Sequence, residues 1–191
     1  MSARLVIMGP QGSGKGTQAA LLAAHLGIPA ISTGDIFRAN ISGGTALGKL
    51  AQEYTARGEL VPDAVTNDMV RDRLGQPDAA DGFILDGFPR NAAQVGALDE
   101  ILEGLGVRLD AVVQLTAERS ELLARMRLRA ELEGREDDTE DVIARRLDIY
   151  EAETAPLAAS YERRGLLVSV DGIGDVSEVA ERLLGALRSR V

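Results

Sequence analysis

The chain is 191 residues long and carries 30 acidic against 21 basic side chains, for a formal charge of −9, with one histidine and no cysteine. That length suits one sizeable domain over residues 1–191 rather than two independent cores. The acidic balance argues against a general nucleic-acid or anionic-membrane binder; the missing cysteines exclude disulfides, thiolate zinc sites and cysteine nucleophiles, and the lone His25 argues against a histidine-rich metal site or a Ser-His-Asp triad.

Residues 5–8 form a short apolar run that leads straight into Gly9-Pro10-Gln11-Gly12-Ser13-Gly14-Lys15-Gly16-Thr17. Residues 14–26 follow as an amphipathic helix with Ala19, Leu22, Ala23 and Leu26 on one stripe. A glycine-rich turn between a strand and a helix lets successive backbone N–H groups converge on an anion, and the helix dipole favours the same charge. Lys15 adds a point charge, so Gly12, Ser13, Gly14, Lys15, Gly16 and Thr17 are the expected phosphate cradle. The GxxxxGK spacing is met, but Gly16 stands where the strict motif has a hydroxyl, leaving Thr17 as a possible metal-side hydroxyl.

A weaker strand at 29–32 ends at Thr33-Gly34. About fifty residues then show helical pattern without a convincing strand, interrupted by turn signals at 41–45 and 58–63. Further strands are expected at 83–85, 111–115 and 166–170, and a final helix over Val176–Leu187. The strand runs are continuous rather than alternating, which suits parallel strands covered on both faces. Strands alternating with helices predict an α/β fold built on a five-stranded parallel sheet flanked by helices. The stretches 33–83 and 125–146 read as excursions from that sheet, the second charge-dense with a loop at 133–138. No run reaches the roughly 18 apolar residues of a membrane span, and the N-terminal run is too short for a signal peptide. A cytoplasmic protein is expected.

The string GxxGxGKGTQ resembles the nucleoside monophosphate kinases, and adenylate kinases most closely. The resemblance continues, in order, at Ser32-Thr33-Gly34-Asp35 with Arg38 and at Gly58-Glu59-Leu60-Val61-Pro62-Asp63. It goes on at Asp86-Gly87-Phe88-Pro89-Arg90 with Gln94, and at Gly134-Arg135-Glu136-Asp137-Asp138 with Arg146. It implies a P-loop fold with an acceptor-binding insertion at about 32–61 and a short lid at about 128–138. The implied reaction is Mg²⁺-dependent phosphoryl transfer from ATP to AMP giving two ADP. Such a kinase needs no catalytic Cys or His, since its acceptor is already an anionic oxygen; it needs rigid cations that bring two polyanions together.

By resemblance, Lys15, Asp86, Arg90, Arg129, Arg135 and Arg146 are the catalytic set. ATP lies on residues 12–17 with Arg125, Arg129 and Gly174, and AMP on Thr33, Gly34, Arg38, Glu59, Leu60, Val61, Gly87, Phe88, Pro89, Arg90, Gln94, Arg135 and Arg146. Asp86 would hold Mg²⁺ through water. The residues leave alternatives beside these roles. Thr33 suits a helix N-cap, Gly174 a turn, Asp86 a cap or loop ion pair, and Arg125 an i,i+4 pair with Glu121. Only five residues separate Arg129 from Arg135, so the lid is of the short form and no structural zinc is expected. The implied partners are ATP and AMP, with neither nucleic acid nor membrane, in a monomer. Competing readings are a pyrimidine (UMP/CMP) monophosphate kinase, which Thr33 opposes, and a nucleotide switch of another class, which leaves the DGFPR turn without a role. Finally, only Lys15 and Lys49 are lysines, and the window 117–148 holds ten acids against seven arginines, so placement of arginines outweighs their total.

Overall fold

A computed structural model describes residues 2–134 and 139–191. In chain order the strands are β1 (Ala3–Met8), β2 (Ala30–Ser32), β3 (Gly82–Asp86), β4 (Ala111–Thr116) and β5 (Leu167–Asp171). The helices are α1 (Lys15–Leu26), α2 (Thr33–Ser42), α3 (Ala46–Thr55), α4 (Asp63–Leu74), α5 (Ala92–Gly104), α6 (Arg119–Glu133), α7 (Glu140–Ile149), α8 (Leu157–Arg163) and α9 (Val176–Leu187). A π-helical turn, Tyr150–Thr154, continues α7 toward α8.

The five strands make one parallel sheet in the order β2-β3-β1-β4-β5. The central strands β1, β3 and β4 are mostly apolar because successive side chains enter opposite cores. Val6, Leu85 and Val112 join Leu98, Phe88 and Tyr161 on one side. Leu5, Ile84 and Val113 join Leu22, Val179 and Leu183 on the other. Ile7 of β1 lies opposite Asp86 of β3 and Val113 of β4, so three strand ends that matter to the chemistry open on the same edge of the sheet. In open α/β sheets ligands bind at that carboxyl edge.

Two turn expectations shift. Ile41 and Ser42 belong to α2, so the turn starts at Gly43. Asp63 opens α4 instead of closing a turn, with Pro62 before it fixing the backbone at the helix start. In the charge-dense stretch, α6 runs through Glu133, and Gly134 ends it in the left-handed conformation at φ 58°.

Helices α2 and α3 cross at Gly48, where an added Cβ would fall 2.1 Å from the Asn40 carbonyl oxygen. No flexible side chain can yield there, because the obstruction is backbone. Gly48→Ala is therefore expected to cost about 1–3 kcal/mol or more, lowering Tm by roughly 2–12 °C in a chain of this size. Gly96→Ala, where the new Cβ meets nothing within 4 Å inside α5, is expected to raise Tm instead. Thermal denaturation of the two variants checks both signs.

Candidate active site

Beyond Met8 the chain curls through Gly12 and Gly14, both left-handed with φ 83° and 87°. A side chain at Gly12 would also strike the Leu122 carbonyl at 2.9 Å, so the loop packs tightly against α6. Gly14 directly precedes α1, whose first turn carries no acidic residue, so the positive end of its dipole is left for an anion. Gly12, Gly14, Lys15, Gly16 and Thr17 border one cleft of about 1140 Å³. Ser13 does not. Its N–H donates to the Pro10 carbonyl at 3.1 Å and its hydroxyl is buried, so it closes the loop on itself.

Lys15 reaches across to Asp86 at the end of β3, Nζ to Oδ1 3.5 Å. Burial holds its pKa below the ordinary lysine value; the Asp86 carboxylate opposes that, and Arg90 and Arg129 add to it. Asp86 is not a helix cap; it makes the loop ion pair with Lys15, yet it is 7% exposed and no well-placed hydrogen-bond donor among the described residues satisfies Oδ1. The 3.5 Å contact is too long to do so well. A buried carboxylate oxygen in want of a cation, on the floor of a phosphate cleft, fits Mg²⁺, which binds through one or two carboxylates, water and substrate phosphates. The Thr17 hydroxyl borders the same cleft.

The chain leaves β3 through Gly87, at φ 86°, where a Cβ would stand 2.5 Å from the Thr33 hydroxyl and 3.2 Å from the Arg90 guanidinium. Only glycine lets those two groups approach. Arg90 donates from Nε to the Gly87 carbonyl at 2.8 Å, which aims the guanidinium. Its backbone is held too, N–H to Gln94 Oε1 at 2.7 Å and carbonyl to the Thr154 hydroxyl at 2.6 Å. Burial lowers the Arg90 pKa; Asp86 opposes this, while Arg146 and Arg38 push the same way. Three arginines thus crowd one region, an arrangement that a bound polyanion relieves.

Around this floor the other expected residues take unequal places. Thr33 is buried, with Oγ1 3.5 Å from the Asp86 carbonyl, and the cap of α2 is instead Ser32, whose hydroxyl accepts from Asp35 N–H at 3.2 Å. Gly34 leaves room for the Arg38 guanidinium, which pairs with Asp35. Leu60, Val61, Pro89 and Gln94 border the cleft, whereas Phe88 is buried in the main core. Glu59 borders the cleft while pairing with Arg145 of α7 at 2.7 Å and Arg57 at 3.1 Å.

Arg125 makes the i,i+4 pair expected of it and also borders the cleft. It pairs with Glu121 at 2.8 Å, and its Nη1 reaches the carbonyls of Gly12 at 3.4 Å and Gly172 at 3.2 Å. Arg129 and Arg146 border the cleft, the latter donating to the Thr55 carbonyl at 3.3 Å and Gln11 at 3.5 Å. Gly174 lies off the cleft in a turn at φ 123°, set by Arg182, which donates to the Asp171 and Ile173 carbonyls. Its neighbour Gly172 makes the approach to the phosphate loop, since a Cβ there would lie 3.0 Å from the Ser13 carbonyl. Arg135 lies outside the described residues, as do Glu136, Asp137 and Asp138.

Two residues bordering the cleft had no advance signal, Tyr150 and Thr154, while Gln11 borders it from within the phosphate-loop string. The π-helical turn that carries Tyr150 and Thr154 is a recurrent feature of functional sites, but no sequence pattern announces it. Asp63 falls within a block of resemblance, yet its contacts with Asn91 and Gln94 come from residues far along the chain.

Comparison with known proteins bears on the same residues. The family described as adenylate kinase matches residues 7–166. Adenylate kinase of Kocuria rhizophila is 58% identical over 96% of this chain and 98% of its own length. That of Thermobifida fusca is 56% identical over 98% of this chain and 99% of its own. The Bifidobacterium longum adenylate kinase is 60% identical over 96% and 99%.

Proposed function

The chain belongs to the adenylate kinase family and is an ATP:AMP phosphotransferase; on that premise we propose how its residues carry the reversible transfer that yields two ADP and contributes to adenine nucleotide homeostasis. The observation that best supports the reading is the meeting of Lys15, Asp86 and Arg90 between the phosphate loop and the Gly87–Arg90 turn. One polyanion fits the loop side, a second fits the arginine side, and the two ends face each other across one cleft.

On the donor side, the backbone of residues 12–17 and Lys15 hold the ATP phosphates, with Arg125 and the 172–174 loop toward the base. On the acceptor side, Arg38 and Arg90 grip the AMP phosphate, while Thr33, Leu60, Val61 and Gln94 shape the base pocket. Gly34, Glu59, Gly87, Phe88 and Pro89 build its walls. An acceptor phosphate oxygen, already anionic, attacks the γ-phosphorus of ATP; the bond from that phosphorus to the β–γ bridging oxygen breaks, and its electron pair stays on departing ADP. Arg129, Arg146 and, by resemblance alone, Arg135 spread the charge on the transferring group. Asp86, through water, and Thr17 would hold Mg²⁺, which when bound neutralises charge on the β- and γ-oxygens.

The insertion at about 32–61 and the short lid at about 128–138 would close over both substrates and exclude water, which otherwise turns a kinase into an ATPase. We also propose a cytoplasmic monomer without structural zinc, nucleic-acid or membrane partners; the missing cysteines speak against thiolate zinc, and the net-acidic composition against nucleic-acid and anionic-membrane partners. A coupled assay with AMP, CMP, UMP and GMP tests the acceptor. AMP is expected to give the highest kcat/KM, by about tenfold or more over the pyrimidines. A pyrimidine acceptor outperforming AMP would move the assignment to a sibling kinase.

A further inference from the structure

Gln94 is 2% exposed and borders the cleft where the acceptor base is proposed to sit. A glutamine amide is nearly symmetric in shape, and on its own it can present oxygen or nitrogen to a ligand by rotating through 180°. Here it cannot rotate freely. Its Oε1 accepts from the Arg90 backbone N–H at 2.7 Å, and its Nε2 donates to Asp63 Oδ1 at 2.9 Å. A backbone N–H only donates and a carboxylate only accepts, so the flipped amide would set donor against donor and acceptor against acceptor. Asn91 is fixed by the same logic. Its oxygen accepts from the Gln94 N–H at 2.9 Å, and its nitrogen donates to the same Asp63 oxygen at 3.0 Å.

Each fixed contact leaves Gln94 one acceptor site on oxygen and one N–H on nitrogen. Adenine's edge offers an amino donor beside a ring-nitrogen acceptor, which such a pair matches in one sense. A 6-oxo purine offers a carbonyl acceptor beside an N1–H donor, the same spacing with the sense reversed. An amide free to flip serves either base. One held at both ends serves one.

We propose that Asp63 is a positioning residue that locks the Gln94 amide and thereby makes the acceptor pocket select 6-amino over 6-oxo purine monophosphates. This rests on the reading that Gln94 faces the acceptor base. Asp63 acts from the first turn of α4, 31 residues from Gln94, and touches no part of the phosphate machinery named above.

The test compares kcat/KM for AMP and IMP in wild type, Asp63→Ala, Asp63→Asn and Gln94→Ala. The ratio of two acceptors on one preparation is insensitive to how much protein is folded, so loss of helix-start stabilisation alone does not move it. Asp63→Ala leaves the amide held at its oxygen alone and is expected to lower the AMP/IMP ratio by about 3- to 10-fold, mostly through KM. Asp63→Asn keeps an acceptor oxygen and is expected to restore most of the ratio. Should Asp63→Ala fail to fold, Asp63→Ser keeps a residue suited to a helix start, withdraws the carboxylate, and carries the same expectation. If Gln94→Ala collapses the ratio while Asp63→Ala or Asp63→Ser leaves it within about twofold of wild type, the lock is refuted and the base reading stands. A ratio unchanged in Gln94→Ala overturns the base reading and the lock with it.

Discussion

Arg90→Ala is expected to lower kcat/KM for phosphoryl transfer by about 10³-fold or more, while Arg188→Ala, on an exposed residue just past α9, leaves it unchanged. The asymmetry follows from how each arginine is held. The Arg90 guanidinium is anchored through Nε to the Gly87 carbonyl, which leaves both terminal nitrogens for a phosphate. Arg90→Lys is expected to rescue little, because a point charge on a flexible stem cannot reproduce a planar two-point grip. The backbone contacts of residue 90 with Gln94 and Thr154 survive either change. Removing one of three mutually repelling arginines also offsets the lost side-chain bond, so Tm should shift by no more than roughly 4 °C. Steady-state kinetics beside thermal melts separate the two effects. Activity within tenfold of wild type in a folded Arg90→Ala protein would sink the proposed site map.

Lys15→Met is expected to cost about 10²–10³-fold in kcat/KM, since it removes the one lysine in contact with Asp86 and strips the cradle of its point charge. The same lysine gives a pH signature in the unmutated enzyme. Its pKa in the free protein lies below the ordinary 10.5, chiefly because burial disfavours the ammonium. Nucleotide phosphates favour that ammonium and raise the pKa again. Affinity for ATP should therefore fall as pH climbs through the lowered value, and binding in that window should take up a proton. Stability of the free protein runs the other way. The cost of holding a buried ammonium is present below the lowered pKa and fades as pH rises from there toward 10.5. Calorimetry in two buffers of different ionisation enthalpy reads the proton directly; no uptake in either would contradict the assignment of Lys15 to the phosphates.

What the sequence disclosed depended on how local the physics was. The strands were legible because burial on both faces of the central ones favours a nearly continuous apolar run, and β3 and β5 differ from expectation only at their ends. The phosphate loop was legible because backbone convergence on an anion needs glycine at fixed spacing. Contacts made across long chain separations left no such trace. Arg145 meets Glu59 from 86 residues away, and Asp63 meets Gln94 from 31, with nothing in either neighbourhood to announce it. Gly172 approaches the phosphate loop, and Arg182 ties the Asp171 and Ile173 carbonyls from a helix beyond the turn. The cap of α2 stayed open for a different reason. Ser32 and Thr33 are both good caps by composition, and only the path of β2 decides which hydroxyl meets an open N–H.

The pairing of Ile7 with Asp86 carries a consequence for how this site tolerates change. A strand ladder has discrete settings: to keep its faces, β1 can move against β3 only in steps of two residues, roughly 6.5 Å. That step is nearly twice the 3.5 Å between Lys15 and Asp86. The backbone register beneath loop and carboxylate is thus digital, either in place or lost, and finer adjustment falls to the side chains of Lys15 and Asp86. Adjustment to substrates of different shape has to come from the helical arms, while the sheet acts as a vernier locked at a single mark.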